Sequence, residues 1–129
     1  MTREDYLALS AFRYELARFL RFSEQTCRIA GITPTQYLLM LHIRGHEGRV
    51  PASVGELALR LQASPHGTTA LIARSIRSGL VGKRRSLQDR RRSEVFLTAR
   101  GLRLLARVAA RHRVQLRAFK EVFRVAHVS

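Results

Sequence analysis

The sequence predicts a mainly α-helical fold that carries one small β-hairpin. Helix starts are marked by Ser or Thr at three successive places: Thr33-Pro34-Thr35-Gln36, Ser53-Val54-Gly55-Glu56 and Ser64-Pro65. After Leu80 the apolar period changes from helical to alternating. Between the short apolar runs Leu80-Val81 and Val95-Phe96-Leu97 lies Lys83-Arg84-Arg85-Ser86-Leu87-Gln88-Asp89-Arg90-Arg91-Arg92, six bases and one acid in ten residues. Two helices joined by a tight turn, then a hairpin with a basic tip, is the order of a winged helix-turn-helix. Further helices before and after it are expected to make a dimer.

The elements follow in chain order. From about Glu4 to Ala30 the spacing predicts a long helix, ended by Gly31. Leu9, Phe12, Leu16 and Phe19 recur at three and four, while Leu7, Ala11 and Tyr14 lie to one side. That apolar surface is broader than one core needs, so the helix is expected to enter a dimer interface. Tyr37-Leu38-Leu39-Met40-Leu41-His42-Ile43 forms a largely buried second helix ending near Gly45. Arg49-Val50-Pro51-Ala52 is a candidate short strand. Leu57 to Leu61 is a short third helix, broken at Ala63-Ser64. Ser64-Pro65 starts the fourth, which Gly79 stops. Val81 with Lys83-Arg84-Arg85 opposes Val95 to Leu97 around a turn at Gln88-Asp89-Arg90-Arg91. Thr98 caps a last helix with Leu102, Leu105, Val108 and Ala109, and farther on Leu116, Phe119, Val122 and Phe123; His112-Arg113 is a candidate break. The expected division is a dimerising helix at 1–31, a winged lobe at 32–98 and a dimerising arm at 99–129.

A wheel of the fourth helix puts Thr68, Leu71, Ile72, Ser75 and Ile76 toward the core. Ser64 at its start and His66, Gly67, Ala70, Ala73, Arg74 and Arg77 face outward, with Thr69 at the margin. That face is small where it begins and basic where it ends, which suits close approach to a major groove with arginines reaching phosphates or base edges.

Composition points the same way. The 129 residues carry 24 Lys+Arg against 9 Asp+Glu, a formal net charge of +15, so the implied partner is a polyanion. Only Lys83 and Lys120 are lysines, and arginine favours bidentate contacts and narrow minor grooves. A hydrophobic share of 46% suffices for a packed core. No run approaches a membrane span and the start does not read as a signal peptide, so no membrane partner is expected. The lone Cys27 suits a reducing cytoplasm, with the protein on the nucleoid. No phosphate-binding Gly loop, nucleophile motif or paired-acid site is present, so no enzyme and no cofactor is expected. His42, His46, His66, His112 and His127 lack tight metal-ligand spacing, and no metal site is expected.

At this point the sequence resembles the MarR family, the multiple antibiotic resistance regulators of bacteria, from about Phe12 to Leu105. Asp89-Arg90-Arg91-Arg92-Ser93-Glu94-Val95-Phe96-Leu97-Thr98 matches the family's wing signature D-x-R-x5-L-T, followed closely by Gly101. Leu71-Ile72-Ala73-Arg74-Ser75-Ile76, Gly79-Leu80-Val81 and Thr33-Pro34-Thr35-Gln36-Tyr37 support it. The resemblance implies a homodimeric winged-helix repressor, less often an activator, of nearby genes. Such proteins commonly respond to small aromatic acids, phenols, metals or oxidants. Two departures stand out. Ala73 replaces the Asp that usually precedes the recognition-helix Arg, and only about thirty residues follow Thr98, where the family uses two dimerising helices.

The expected partner is double-stranded DNA, read as a near-palindrome with half-sites about one turn apart. The wing would turn Arg90, Arg91 or Arg92 toward the minor groove, with Arg91 at the signature position as the inserted residue. Arg84 and Arg85 are expected as phosphate clamps, and Asp89 as an organiser of the turn. By family precedent a small aromatic ligand would sit among Arg18, Phe22, Tyr37, Met40 and His42. Arg28 beside Cys27 invites an oxidation-sensing reading, against a purely structural cysteine. Two other readings of the charge stand beside the regulator: an architectural nucleic-acid binder without operator specificity, and a winged helix that binds protein.

Overall fold

The computed structural model describes residues 1–118. Within them the order is α1 (Arg3–Ala30), α2 (Pro34–Arg44), α3 (Val54–Leu61), α4 (Pro65–Arg77), β1 (Val81–Arg85), β2 (Ser93–Leu97) and α5 (Ala99–Ala118). This is the mainly helical fold with a two-stranded wing that the sequence predicts.

Local chemistry fixes each boundary. Thr2 caps α1 by accepting from the Asp5 N–H at 3.2 Å, while Asp5 accepts from the Thr2 N–H at 2.9 Å. Gly31 ends α1 at φ 80°, a left-handed conformation that an L side chain adopts at a cost. Thr33 with Gln36 and Ser53 with Glu56 form the two capping boxes read in the sequence. Ser64 accepts from the Gly67 N–H at 2.9 Å, and Pro65 opens α4 with φ already set for a helix. Between α3 and α4 the turn is made by Gln62, at φ 52°.

The core lies where α2, α3, α4, β2 and α5 meet. Leu39, Met40, Leu57, Ile72, Leu80, Val95 and Val108 are among its fully enclosed members. Each such side chain contributes about 1.5–3 kcal/mol by leaving water.

The wing is antiparallel, paired from Val81 with Leu97 to Arg85 with Ser93. The strand expected at Arg49–Ala52 is reduced to one bridge, Ser53 to Glu94, with the Val95 N–H donating to the Ala52 carbonyl at 2.9 Å. Pro51 has no N–H to extend such a ladder.

Two further expectations change. Helix α5 runs through His112 and Arg113 without a break. His112 lies on its inner face, 4% exposed, with Nδ1 2.8 Å from the Val108 carbonyl and Nε2 2.7 Å from the Ser23 hydroxyl. Both ring nitrogens are thereby satisfied and the helix has no reason to open. Ile76 is 42% exposed, because Ser75 and Leu80 close the core at that end and leave Ile76 on its rim. Phe119, Lys120, Val122, Phe123 and His127, and with them the outer part of the expected arm, lie outside the described residues.

On α1, Tyr6, Leu7, Leu9, Tyr14 and Leu20 are exposed, as are Val114 and Leu116 on α5. Among the described residues no helix is long and apolar enough to cross a membrane.

Candidate nucleic-acid interface

Helix α4 presents the face the wheel predicts. Thr68, Leu71, Ile72 and Ser75 are buried, and Ser64, His66, Gly67, Thr69, Ala70, Arg74 and Arg77 are exposed; Ala73 is half-buried. Thr68 and Ser75 become harmless in the core by donating to the carbonyls of Ser64 and Leu71, at 2.9 and 2.8 Å. On the outer side the Thr69 hydroxyl donates to the Pro65 carbonyl at 3.0 Å.

The wing is anchored at its stem by Thr98. Its N–H donates to the Leu80 carbonyl at 3.1 Å and its hydroxyl to the Gly79 carbonyl at 2.6 Å, while that same hydroxyl accepts from the Gly101 N–H at 3.0 Å. Thr98 thus joins three elements: the α4–β1 turn, β2 and α5. Farther out, the ring of Phe96 lies across Gly82, where a Cβ would meet it at 2.4 Å.

The tip, residues 86–92, is a closed turn. The Ser86 N–H donates to the Arg92 carbonyl at 2.8 Å, and the Ser86 hydroxyl accepts from the N–H groups of Gln88 and Asp89 at 3.2 Å each. Asp89 Oδ1 accepts from the Arg91 N–H at 3.0 Å and from Arg91 Nε at 3.3 Å. The structure therefore gives Asp89 an organising position at the turn, paired with Arg91. Arg85 steadies the tip by donating to the Arg90 carbonyl at 2.8 Å.

The three consecutive arginines do not share one fate. Arg90 and Arg91 are exposed, Arg91 with 93% of its side chain open to solvent. Arg92 turns back into the lobe, where Nη2 donates to the Pro51 carbonyl at 2.8 Å and to Glu56 at 2.6 Å. Its guanidinium ties the end of the wing tip to the lobe, unlike the outward Arg90 and Arg91 beside which the sequence places it as a DNA contact. Arg84 is partly drawn in as well, with Nε 3.5 Å from Glu94 and its guanidinium 5.2 Å from the Phe96 ring centre. Among the described residues, Arg74, Arg77, Arg85 and Arg90 have no carboxylate within salt-bridge distance.

Glu56 has more partners than its capping box alone predicts. It completes the α3 capping box by accepting from Ser53, and it also takes His46 Nε2 at 3.1 Å and Arg92 at 2.6 Å. Burial pushes its carboxyl up, but hydrogen bonds from Ser53 and Arg92 and the charge of Arg92 outweigh that and hold it below its ordinary 4.5. A depressed folded pKa stabilises above the unfolded value, and that contribution disappears as pH falls through the folded value. Glu56→Gln is therefore expected to flatten the fall in urea midpoint below about pH 4.5. The same acid slope in both proteins would remove Glu56 from the account.

The five residues expected at a ligand pocket have different surroundings. Arg18 is exposed and pairs with Glu15 at 3.5 Å. Phe22 meets His112 edge-on at 5.8 Å, Tyr37 stacks on it at 4.6 Å, and Met40 is fully enclosed in the core. His42 is half-buried, its pKa lowered by burial and then by Arg60. A cleft of about 400 Å³ opens elsewhere, with Arg44, His46 and Arg49 beside Ile43, Val50, Phe96, Leu97 and Leu102. Cys27 is fully buried and burial raises its pKa, a hydrogen bond with Ser23 opposing this. Arg28 pairs instead with Glu24 at 3.2 Å, and nothing in its placement favours a thiolate at Cys27. No cluster of His, Cys, Asp or Glu that would hold a metal occurs among the described residues.

A helix-turn-helix with an outward basic helix and a braced basic hairpin defines a winged helix-turn-helix protein. Residues 30–92, from the end of α1 to the tip of the wing, match the model of the MarR family. The fold is similar to that of AbsC, a MarR family transcriptional regulator from Streptomyces coelicolor. That match has TM-score 0.77 and 22% identity, over 92% of this chain and 79% of AbsC. A MarR family protein from Bacillus stearothermophilus matches at 0.76 and 25% identity, over 90% and 79%. A mutant of Staphylococcus aureus MepR bound to an oligodeoxyribonucleotide matches at 0.71 and 19% identity, over 94% and 84%. No curated protein sequence matches the chain.

Proposed function

We propose that the protein is a sequence-specific, double-stranded-DNA-binding transcriptional repressor that acts as a homodimer and is released by a small aromatic ligand. One observation carries the reading. The exposed face of α4, from Ser64 and His66 to Arg74 and Arg77, stands in the same lobe as a hairpin whose Arg85, Arg90 and Arg91 are outward. Exposed arginines on a recognition helix and on a wing fit a duplex: α4 in the major groove, Arg91 in the adjoining minor groove. The oligonucleotide in the MepR mutant structure supports the same use of this fold.

The apolar residues left open on α1 and α5 support a second copy as their cover, with 1–31 and 99–129 as dimerising parts and 32–98 as the reading lobe. The cleft beside Arg44 and Arg49 supports an aromatic carboxylate as effector, its ring on Phe96 and Leu102 and its charge on the guanidinium groups.

The decisive experiment retains short genomic duplexes on the protein at physiological salt and sequences them. One enriched near-palindrome is the expected outcome. Equal retention of all sequences, disappearing as salt rises, would replace the regulator with a non-specific binder. No retention at any salt would leave a protein-binding winged helix.

A further inference from the structure

Leu87 is 93% exposed, more than any other large hydrophobic side chain among the described residues. It sits at the wing tip, and its exposure is built in. On one side Ser86 is buried, its N–H given to the Arg92 carbonyl; on the other, Gln88 and Asp89 donate their N–H groups back to the Ser86 hydroxyl. The residues bracketing Leu87 are thus tied to the turn, and the leucine stands outside it. A single exposed leucine ordinarily needs no explanation. This one lies on a loop bracketed by Arg84, Arg85, Arg90 and Arg91, which would hold a polyanion against it.

We propose that Leu87 is an apolar wedge that enters the DNA minor groove beside Arg91 and partly opens a base step there. This rests on the DNA-binding reading above and adds a residue with a different task. The arginines supply attraction to phosphates, whereas Leu87 has only shape and apolar surface to offer. A B-form minor groove has deoxyribose walls against which that surface leaves water, and apolar side chains inserted from it unstack and kink base steps. An A-form RNA groove is wide, shallow and lined with hydroxyls. A membrane surface requires a larger apolar face than one leucine provides. A wedge works best where the step opens easily, so operators should carry a flexible pyrimidine–purine step such as TA under the wing.

The test uses the full chain, and Leu87→Ser is expected to fold normally because Leu87 touches no core. Binding is measured across a salt series to the enriched operator, to a version with the TA step replaced by a stiff A-tract, and to vesicles of anionic lipid. A 2-aminopurine beside the step reports unstacking. The wild type should prefer the TA operator about ten-fold and raise the fluorescence of the probe. Leu87→Ser should lose both effects while its salt slope stays unchanged, since no phosphate contact is removed. An unaltered TA preference and fluorescence in Leu87→Ser overturns the wedge and leaves DNA binding intact. Loss of vesicle binding with DNA binding unchanged overturns it in favour of a lipid surface. Absence of any duplex binding by the wild type removes the DNA reading and the wedge with it.

Discussion

Gly101→Ala is expected to cost the protein about 3 kcal/mol or more of its stability, a large part of what a domain of this size has to lose. Gly101 is the third residue of α5, buried, and an added Cβ would lie 2.0 Å from the Leu80 carbonyl oxygen and 2.9 Å from its carbon. Both are backbone atoms, and that oxygen already accepts from the Thr98 N–H. Relief would require moving the start of the wing away from α5, which dismantles the Thr98 anchor. Alanine's better helix propensity, about 1 kcal/mol, is far too small to compensate. A useful contrast is Gly55→Ala in α3, where the nearest atom is the Ser53 hydroxyl at 4.0 Å. There the same change is expected to stabilise by roughly 0.5–1 kcal/mol. Thermal melts of the two variants should move in opposite directions, Gly101→Ala down by about 10 °C. A Gly101→Ala protein that melts with the wild type would show that α5 does not press on Leu80 as described.

The largest functional effect is expected from the double change Arg90→Ala/Arg91→Ala. Two exposed cations leave the wing tip while the turn keeps its Ser86 and Asp89 backbone bonds. If both arginines meet DNA phosphates or the minor groove, affinity should fall about a hundred-fold and the log–log salt slope should become shallower by about 1.8, at about 0.9 per contact. Arg92→Ala is the informative partner. Its guanidinium is spent on Pro51 and Glu56, so it should lower the urea midpoint and leave the salt slope alone. A variant series in which Arg92 changes the slope as much as Arg90 and Arg91 do would show that all three reach the duplex.

These arginines also show how far the sequence can be read. The helix starts were legible because a capping box is local: Thr33 to Gln36 and Ser53 to Glu56 each span one turn. The outward face of α4 was legible because helical period alone separates Thr68, Leu71 and Ile72 from Ala70, Arg74 and Arg77. Arg90, Arg91 and Arg92 look equivalent in a string. What singles out Arg92 is Pro51, 41 positions earlier, and Glu56, and no local pattern encodes that meeting. His112 misled for the same reason, since the ring nitrogen that faces away from its own helix finds Ser23 on α1. The ligand pocket rests on a family precedent with no spacing to support it, and in the structure Tyr37 stacks on His112 while Met40 is enclosed in the core.

Two separated attachments determine how the hairpin can move. Thr98 pins its root to the α4–β1 turn and to α5, and Arg92 pins the base of its tip to the first turn of α3. A lever fixed at one point swings; a lever fixed at two turns only with the body that holds it. The span from the outward side of α4 to the wing tip is in consequence a constant of each subunit, like the gap of a fixed caliper. In the proposed DNA-bound dimer, adjustment to a longer or shorter operator would fall on the joint between two subunits, and one subunit should register the same offset between its groove contacts on every sequence it occupies.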